Sequence, residues 1–141
     1  MKKTFISNSV NETIHIAREI GQNAHDRSII TLRGELGAGK TIFTKGIASG
    51  MDITQDITSP TFSLMEIYDG NPDLYHFDLY RIENLNELLN LGFEDFWGIR
   101  GVSVIEWPEI ALDILPEKRI DIFISYIDEN RRSITIEYTG H

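Results

Sequence analysis

Ser28-Ile29-Ile30-Thr31-Leu32-Arg33-Gly34-Glu35-Leu36-Gly37-Ala38-Gly39-Lys40-Thr41 decides how this chain folds. The first six residues form a short β-branched run, which predicts a buried strand. The next eight match G-x-x-x-x-G-K-[ST] in full, and the residues from Lys40 to about Met51 read as a helix. Strand, glycine-rich loop and helix in that order suit the capture of phosphate. Phosphate oxygens need several donors converging on a small volume, and side chains are too bulky to supply them. Backbone N–H groups can, where glycine permits the angles. The helix start adds unpaired N–H groups and a partial positive charge. On this reading Glu35, Leu36, Gly37, Ala38, Gly39, Lys40, Thr41 and Ile42 line the phosphate tail of a nucleotide. Lys40 neutralises the β/γ-phosphates, and the Thr41 hydroxyl ligates magnesium. The plainer alternative is a glycine-rich turn that caps a helix.

The elements on either side predict an α/β sandwich. Ser9 and Glu12 have capping-box spacing, and Val10, Ile14, Ala17, Ile20 and Ala24 form one apolar stripe at helical period. Residues 62–68 and 74–80 read as strands flanking the turn Asp69-Gly70-Asn71-Pro72-Asp73. Residues 84–92 read as a short helix with Asn84 at its N-cap and Gly92 just past its end. Residues 101–106 look like an interior strand ending in an acid. Trp107-Pro108-Glu109 then opens a helix to about Leu115. Residues 120–127 and 133–138 form a C-terminal hairpin. Strands separated by helices, with hairpins added, indicate a mixed sheet within a single domain spanning 1–141.

Composition narrows the partners. The chain has 141 residues, 41% hydrophobic and 25% charged, and a formal net charge of −9. Nucleic acid is held by basic residues that release counterions from phosphate, so 22 acids against 13 bases make a poor grip on it. Service to nucleic acid would pass through a partner protein. No apolar run approaches the roughly 18 residues that span a bilayer, and Met1–Asn8 lacks the apolar stretch of a secretory signal. Cysteine is absent; this excludes disulfides and thiolate metal sites and fits a cytoplasmic location.

Metal chemistry needs acids near the loop. Glu106 ends the apolar run Val102-Ser103-Val104-Ile105, where such proteins usually carry Asp. Its extra methylene lets the carboxylate reach metal-bound water or the attacking water, and the alternative is a strand-end acid facing solvent. Asp78 is the other candidate. Alternation places His76, Asp78 and Tyr80 on one face of a strand, and magnesium needs only one or two protein carboxylates. An ion pair with a nearby arginine is the alternative for Asp78. His76 is set aside, because such a histidine is more often packed or hydrogen-bonded than a ligand and magnesium prefers oxygen. Thr58-Ser59-Pro60-Thr61-Phe62 lies where a γ-phosphate-sensing switch would sit, or is an ordinary connection. Trp107 either stacks on a ligand or packs. Arg131 and Arg132 read as solvated turn residues.

Together Gly34–Thr41, Ser59-Pro60-Thr61-Phe62, His76-Phe77-Asp78-Leu79-Tyr80-Arg81 and Ile105-Glu106-Trp107-Pro108-Glu109 resemble the TsaE (YjeE) family of small P-loop ATPases. The resemblance covers about the middle half of the chain, and its last two segments are its most specific. It implies a P-loop NTPase fold, a mixed, mainly parallel sheet of about seven strands flanked by helices. It implies slow, Mg2+-dependent ATP hydrolysis, with ATP/ADP as cofactor, supporting tRNA threonylcarbamoyladenosine modification with TsaB and TsaD. It assigns Lys40, Asp78 and Glu106 to catalysis, Thr41, Asp78 and Glu106 to the metal, and Trp107 to the nucleotide's vicinity. Ile42 departs from members that carry a second threonine there; Thr41 still supplies the hydroxyl. A small-molecule kinase would need arginines in a mobile lid, and none is evident. A non-catalytic nucleotide-dependent assembly module is the other alternative. No Asn-Lys-x-Asp segment points to guanine.

Overall fold

Alternation along one strand sets the layers of this molecule. In β2 (Ile29–Arg33), Ile30 and Leu32 are buried in one apolar cluster and Ile29 in another. The first cluster receives Ala17 and Ile20 of α1 (Val10–Asn23) and Phe43 and Ile47 of α2 (Lys40–Gly50). The second receives Leu88 of α3 (Leu85–Asn90), Phe93 of a 3-10 turn (Phe93–Asp95) and Trp97. One sheet is thus covered on both faces, and each fully buried apolar side chain stabilises by about 1.5–3 kcal/mol. The computed structural model describes residues 1–141.

The other strands are β1 (Lys2–Ser7), β3 (Met65–Tyr68), β4 (Leu74–Asp78), β5 (Val102–Glu106), β6 (Arg119–Tyr126) and β7 (Arg132–Thr139). They form a seven-stranded sheet in the order β1-β7-β6-β2-β5-β4-β3. β2 runs parallel to β5 and β6, and β4 parallel to β5. β7 opposes β6 and β1 opposes β7, so β1 shares the direction of the central strands. β3, antiparallel to β4, is the only other reversed strand. The expected mixed, mainly parallel sheet is therefore found. The cleft at the C-terminal ends of β2, β4 and β5 is where parallel α/β sheets place ligands.

α1 begins as its sequence dictates. Ser9 Oγ accepts the Glu12 N–H at 3.1 Å, while the Glu12 carboxylate accepts the Asn8 N–H. α1 and α2 meet backbone to backbone: a Cβ at Gly50 would lie 2.1 Å from Arg18 O, and one at Gly46 2.5 Å from the Ala17 Cβ.

Three local expectations need correction. Residues 62–64 are not strand: Leu64 has φ +68° and Phe62 is 86% exposed, so the chain turns there and β3 starts at Met65. The helix expected over 107–115 is a 3-10 segment, Pro108–Ala111, followed by turns. Trp107 sits in the left-handed region at φ +54° and turns the chain just before Pro108. Finally, β1 has no counterpart among the strands read from the sequence.

Candidate functional site

Between β2 and α2 the chain passes through two left-handed glycines, Gly37 at φ +81° and Gly39 at φ +105°. A Cβ on either would touch nothing within 4 Å, so it is the backbone angle that requires glycine. Gly34 is different, since a Cβ there would lie 2.6 Å from Ile124 O of β6. The turn closes with Ala38 N–H donating to Glu35 O at 3.0 Å, and α2 starts with Phe43 N–H donating to Gly39 O at 2.9 Å. The N–H groups of Gly37, Gly39, Lys40, Thr41 and Ile42 donate to no acceptor in the chain. Five main-chain donors gathered at a helix N-terminus form an anion cradle. Leu36 is exposed at the rim, Glu35 faces solvent and Ala38 is buried behind the loop.

Lys40 reaches over this loop. Its Nζ donates to Gly34 O at 2.7 Å and lies 3.5 Å from the centroid of the Trp107 ring. Burial holds its pKa below the usual lysine value; Glu106, Asp78 and Glu109 oppose the shift through their negative charge. The left-handed Trp107 turns its ring onto Lys40, and Tyr80 packs against it at 4.9 Å. The cation is thus desolvated, held between an indole and a carbonyl, and placed beside the unpaired amides.

Two carboxylates face it. Asp78 and Glu106 end adjacent parallel strands and are register partners, and each is 4% exposed. Alternation from Leu74 carries His76 and Asp78 onto the α2 face of the sheet. Asp78 Oδ2 accepts from Thr61 Oγ1 at 3.1 Å, and its Oδ1 accepts the Tyr80 N–H at 2.9 Å. Thr61 Oγ1 also lies 2.8 Å from Ser59 Oγ. No arginine pairs with Asp78. Glu106 Oε2 lies 2.5 Å from His76 Nε2, and His76 is fully buried with Nδ1 unpartnered. Glu106 therefore points into the protein side of the cleft, where His76 fixes it.

Lys40, Thr41, Asp78, Glu106 and Trp107 line one cavity of about 280 Å3, with Ser59 and Thr61 also on its wall. A smaller recess of about 160 Å3 beside it borders Ala38, Gly39 and Ile42 and includes Arg132. Arg132 is not a free turn residue: its Nε donates to Ala38 O at 3.0 Å, bracing the loop from β7. Arg131 does lie on the surface, bonded to Asp128. His76 and Glu109 are the residues that sequence reasoning left out. His76 could have been found from its position two residues before Asp78 on a shared strand face.

The oxygen donors of Thr41, Asp78 and Glu106 are of the hard type that suits magnesium. No group of three or more His, Cys, Asp or Glu residues is arranged to hold a metal ion. A metal here would rest on at most two carboxylates, a hydroxyl, phosphate oxygens and water, which is how magnesium is commonly held.

The family model for threonylcarbamoyl adenosine biosynthesis protein TsaE matches residues 7–134. The tRNA threonylcarbamoyladenosine biosynthesis protein TsaE of Treponema pallidum (strain Nichols) is 37% identical over 131 residues, covering 93% of this chain and 97% of that protein. Its counterpart in Bacillus subtilis (strain 168) is 40% identical over 131 residues, covering 92% and 82% respectively. The crystal structure of Bacillus subtilis YdiB superposes with a TM-score of 0.85 at 33% identity, covering 99% of this chain and 87% of that one.

Proposed function

The chain belongs to the TsaE family, and on that premise we propose that it binds ATP with magnesium and hydrolyses it slowly in support of tRNA threonylcarbamoyladenosine biosynthesis. One observation carries this reading: five unpaired main-chain N–H groups face a cleft that also holds Lys40, Asp78 and Glu106.

The amides of Gly37, Gly39, Lys40, Thr41 and Ile42 hold phosphate oxygens, and Lys40 exchanges its bond to Gly34 O for a phosphate oxygen. Thr41, Asp78 and Glu106 would hold a magnesium ion, which would neutralise charge on the phosphates. Glu106, steadied by His76, orients water for in-line attack on the γ-phosphate, and catalysis is chiefly positioning and charge stabilisation. Trp107 shields Lys40 from water and so strengthens its pull on an anion. Thr61, bonded to Asp78, connects the loop at 58–61 to the metal side and supports its reading as a switch.

No arginine lines the cleft. Arg81 lies over Phe62 and Arg100 over Phe96. This disfavours the kinase reading, fits slow turnover by the chain alone, and leaves room for a partner to complete the site. TsaB and TsaD are the partners we propose, with tRNA reached only through them, in the cytoplasm. The test is phosphate release from ATP with Mg2+, alongside nucleotide binding by calorimetry. Lys40→Ala loses nucleotide affinity. Asp78→Asn and Glu106→Gln keep it but lower hydrolysis by about 10²–10³-fold, as for loss of one electrostatic group. Full hydrolysis by both acid variants would overturn these roles, and hydrolysis by neither wild type nor complex would leave the non-catalytic assembly module.

A further inference from the structure

A second cavity, of about 550 Å3, is nearly twice the volume of the phosphate cleft and lies at the opposite end of the sheet. It opens where β2 and β6 begin, about 15 Å along the strands from the loop that follows Arg33. The apolar part of its wall is partly aromatic: Ile20, Ile29, Trp97, Ile99, Ile120 and Tyr138. Volume and lining are those of a small-molecule site.

The charges around it run against the molecule as a whole. In a chain of net charge −9, this cavity collects Arg27, Lys118 and Arg119 against a single acidic side chain, Asp26, with His25 and the final residue His141 also on its wall. Asp26 is engaged, its Oδ1 accepting the Gly101 N–H at 2.6 Å. Arg119 is tied to Asp121 at 3.0 Å. Arg27 and Lys118 take part in no ion pair. Arg27 also holds a left-handed backbone at φ +79°, a conformation costly for an arginine. Its N–H donates to Gly101 O at 2.8 Å, so one main-chain bond and one to the Asp26 carboxylate pin residues 26–27 to Gly101 and preform this side of the mouth. On the wall, Trp97 is 4% exposed and packs edge-on against Phe77, with its indole N–H buried and lacking an acceptor.

We propose that this cavity is a second ligand site, for a small planar aromatic molecule bearing one carboxylate or phosphate. The ring lies among Ile29, Trp97 and Tyr138, and the anion sits at the mouth between Arg27 and Lys118. An uncharged ring would forgo the two free cations, and a bare anion would forgo the apolar walls. Both parts are therefore needed.

The test reads Trp97 directly. In the Trp107→Phe chain only one indole N–H signal remains, and its chemical shift is followed during addition of 1-naphthoate, its uncharged isostere 1-naphthamide, or AMP. The expected result is a saturable Trp97 shift with 1-naphthoate, AMP or both, and at least tenfold weaker binding of the amide. Arg27→Gln with Lys118→Gln, two exposed positions, weakens the anion by about tenfold while leaving the rest of the spectrum in place. AMP is titrated again in a Lys40→Ala background, which removes the phosphate cleft. Saturation by AMP there makes a nucleoside phosphate the natural type, and saturation by 1-naphthoate alone makes it an aromatic carboxylate. Absence of any saturable shift, equal binding of acid and amide, or an unchanged affinity in the double variant would each overturn the proposal.

Discussion

Lys40 shows how one residue can weaken the fold and make the site. Its pKa is lowered by burial, so the folded state disfavours the charged form relative to the unfolded chain. Between the lowered folded value and 10.5 the unfolded state binds more protons, and stability rises with pH through that window. Below it the full cost of burying the ammonium is present. Lys40→Met is therefore expected to melt higher than wild type at neutral pH, with the gap closing as the pH approaches 10.5. Thermal melts across pH 7–10.5 check this, and a wild type that stays the less stable by the same margin at every pH would refute it. His76 carries the complementary lesson. Replacing it with Ala strands the buried Glu106 without its donor, which costs about 2–4 kcal/mol and lowers the melting temperature by roughly 5–15 °C for a domain of this size. His76→Gln, whose amide nitrogen reaches about as far as the imidazole Nε2 that bonds Glu106, is expected to recover part of that loss. Lys40, Thr41, Asp78 and Glu106 were legible because loop pattern and strand ends announce them. His76 reads as a packed or hydrogen-bonded histidine, which it is, but its partner, a carboxylate thirty residues away, is not legible from the strand's alternation.

Elements differ in what their glycines do, and the difference can be measured. Gly39→Ala meets no atom within 4 Å, so the chain folds with only a backbone penalty of about 1–2 kcal/mol. Its methyl group and altered angle nevertheless disturb the cradle, and nucleotide affinity is expected to fall at least tenfold by calorimetry. Gly50→Ala is the reverse case. Its methyl would collide with Arg18 O at 2.1 Å and push α1 from α2, costing about 1–3 kcal/mol or more. A denaturant midpoint unchanged from wild type would count against this packing. Element type was legible wherever period and cap agreed, as at α1 with Ser9 and at β2 and α2 on either side of the loop. It failed where a backbone special intervened. Leu64 and Trp107, both at positive φ and neither a glycine, stand where the expected strand starts late and the expected helix gives way to a 3-10 segment, and nothing in a leucine or a tryptophan forecasts that.

For the molecule as a whole, charge and strand order matter most. A net charge of −9 predicts negligible retention of tRNA by the isolated protein in a filter assay, even at about 50 mM salt. Strong salt-sensitive retention would contradict a route to RNA through partners. The α/β class followed from the alternation of strands and helices, but strand order did not, because pairing is set by contacts between distant segments. β1 is the clearest case: its partner β7 lies at the far end of the chain, and Lys2, Lys3 and Thr4 give no inward apolar face to reveal it. Only Ser7 of its six residues is buried, although its ladder to β7 is continuous. Such a strand hangs almost wholly on main-chain bonds, so it can peel away while the layers behind it stay shut. Its amides would take up deuterium ahead of those in β2, and the bared margin of β7 would offer a seat to the same strand of a neighbouring copy.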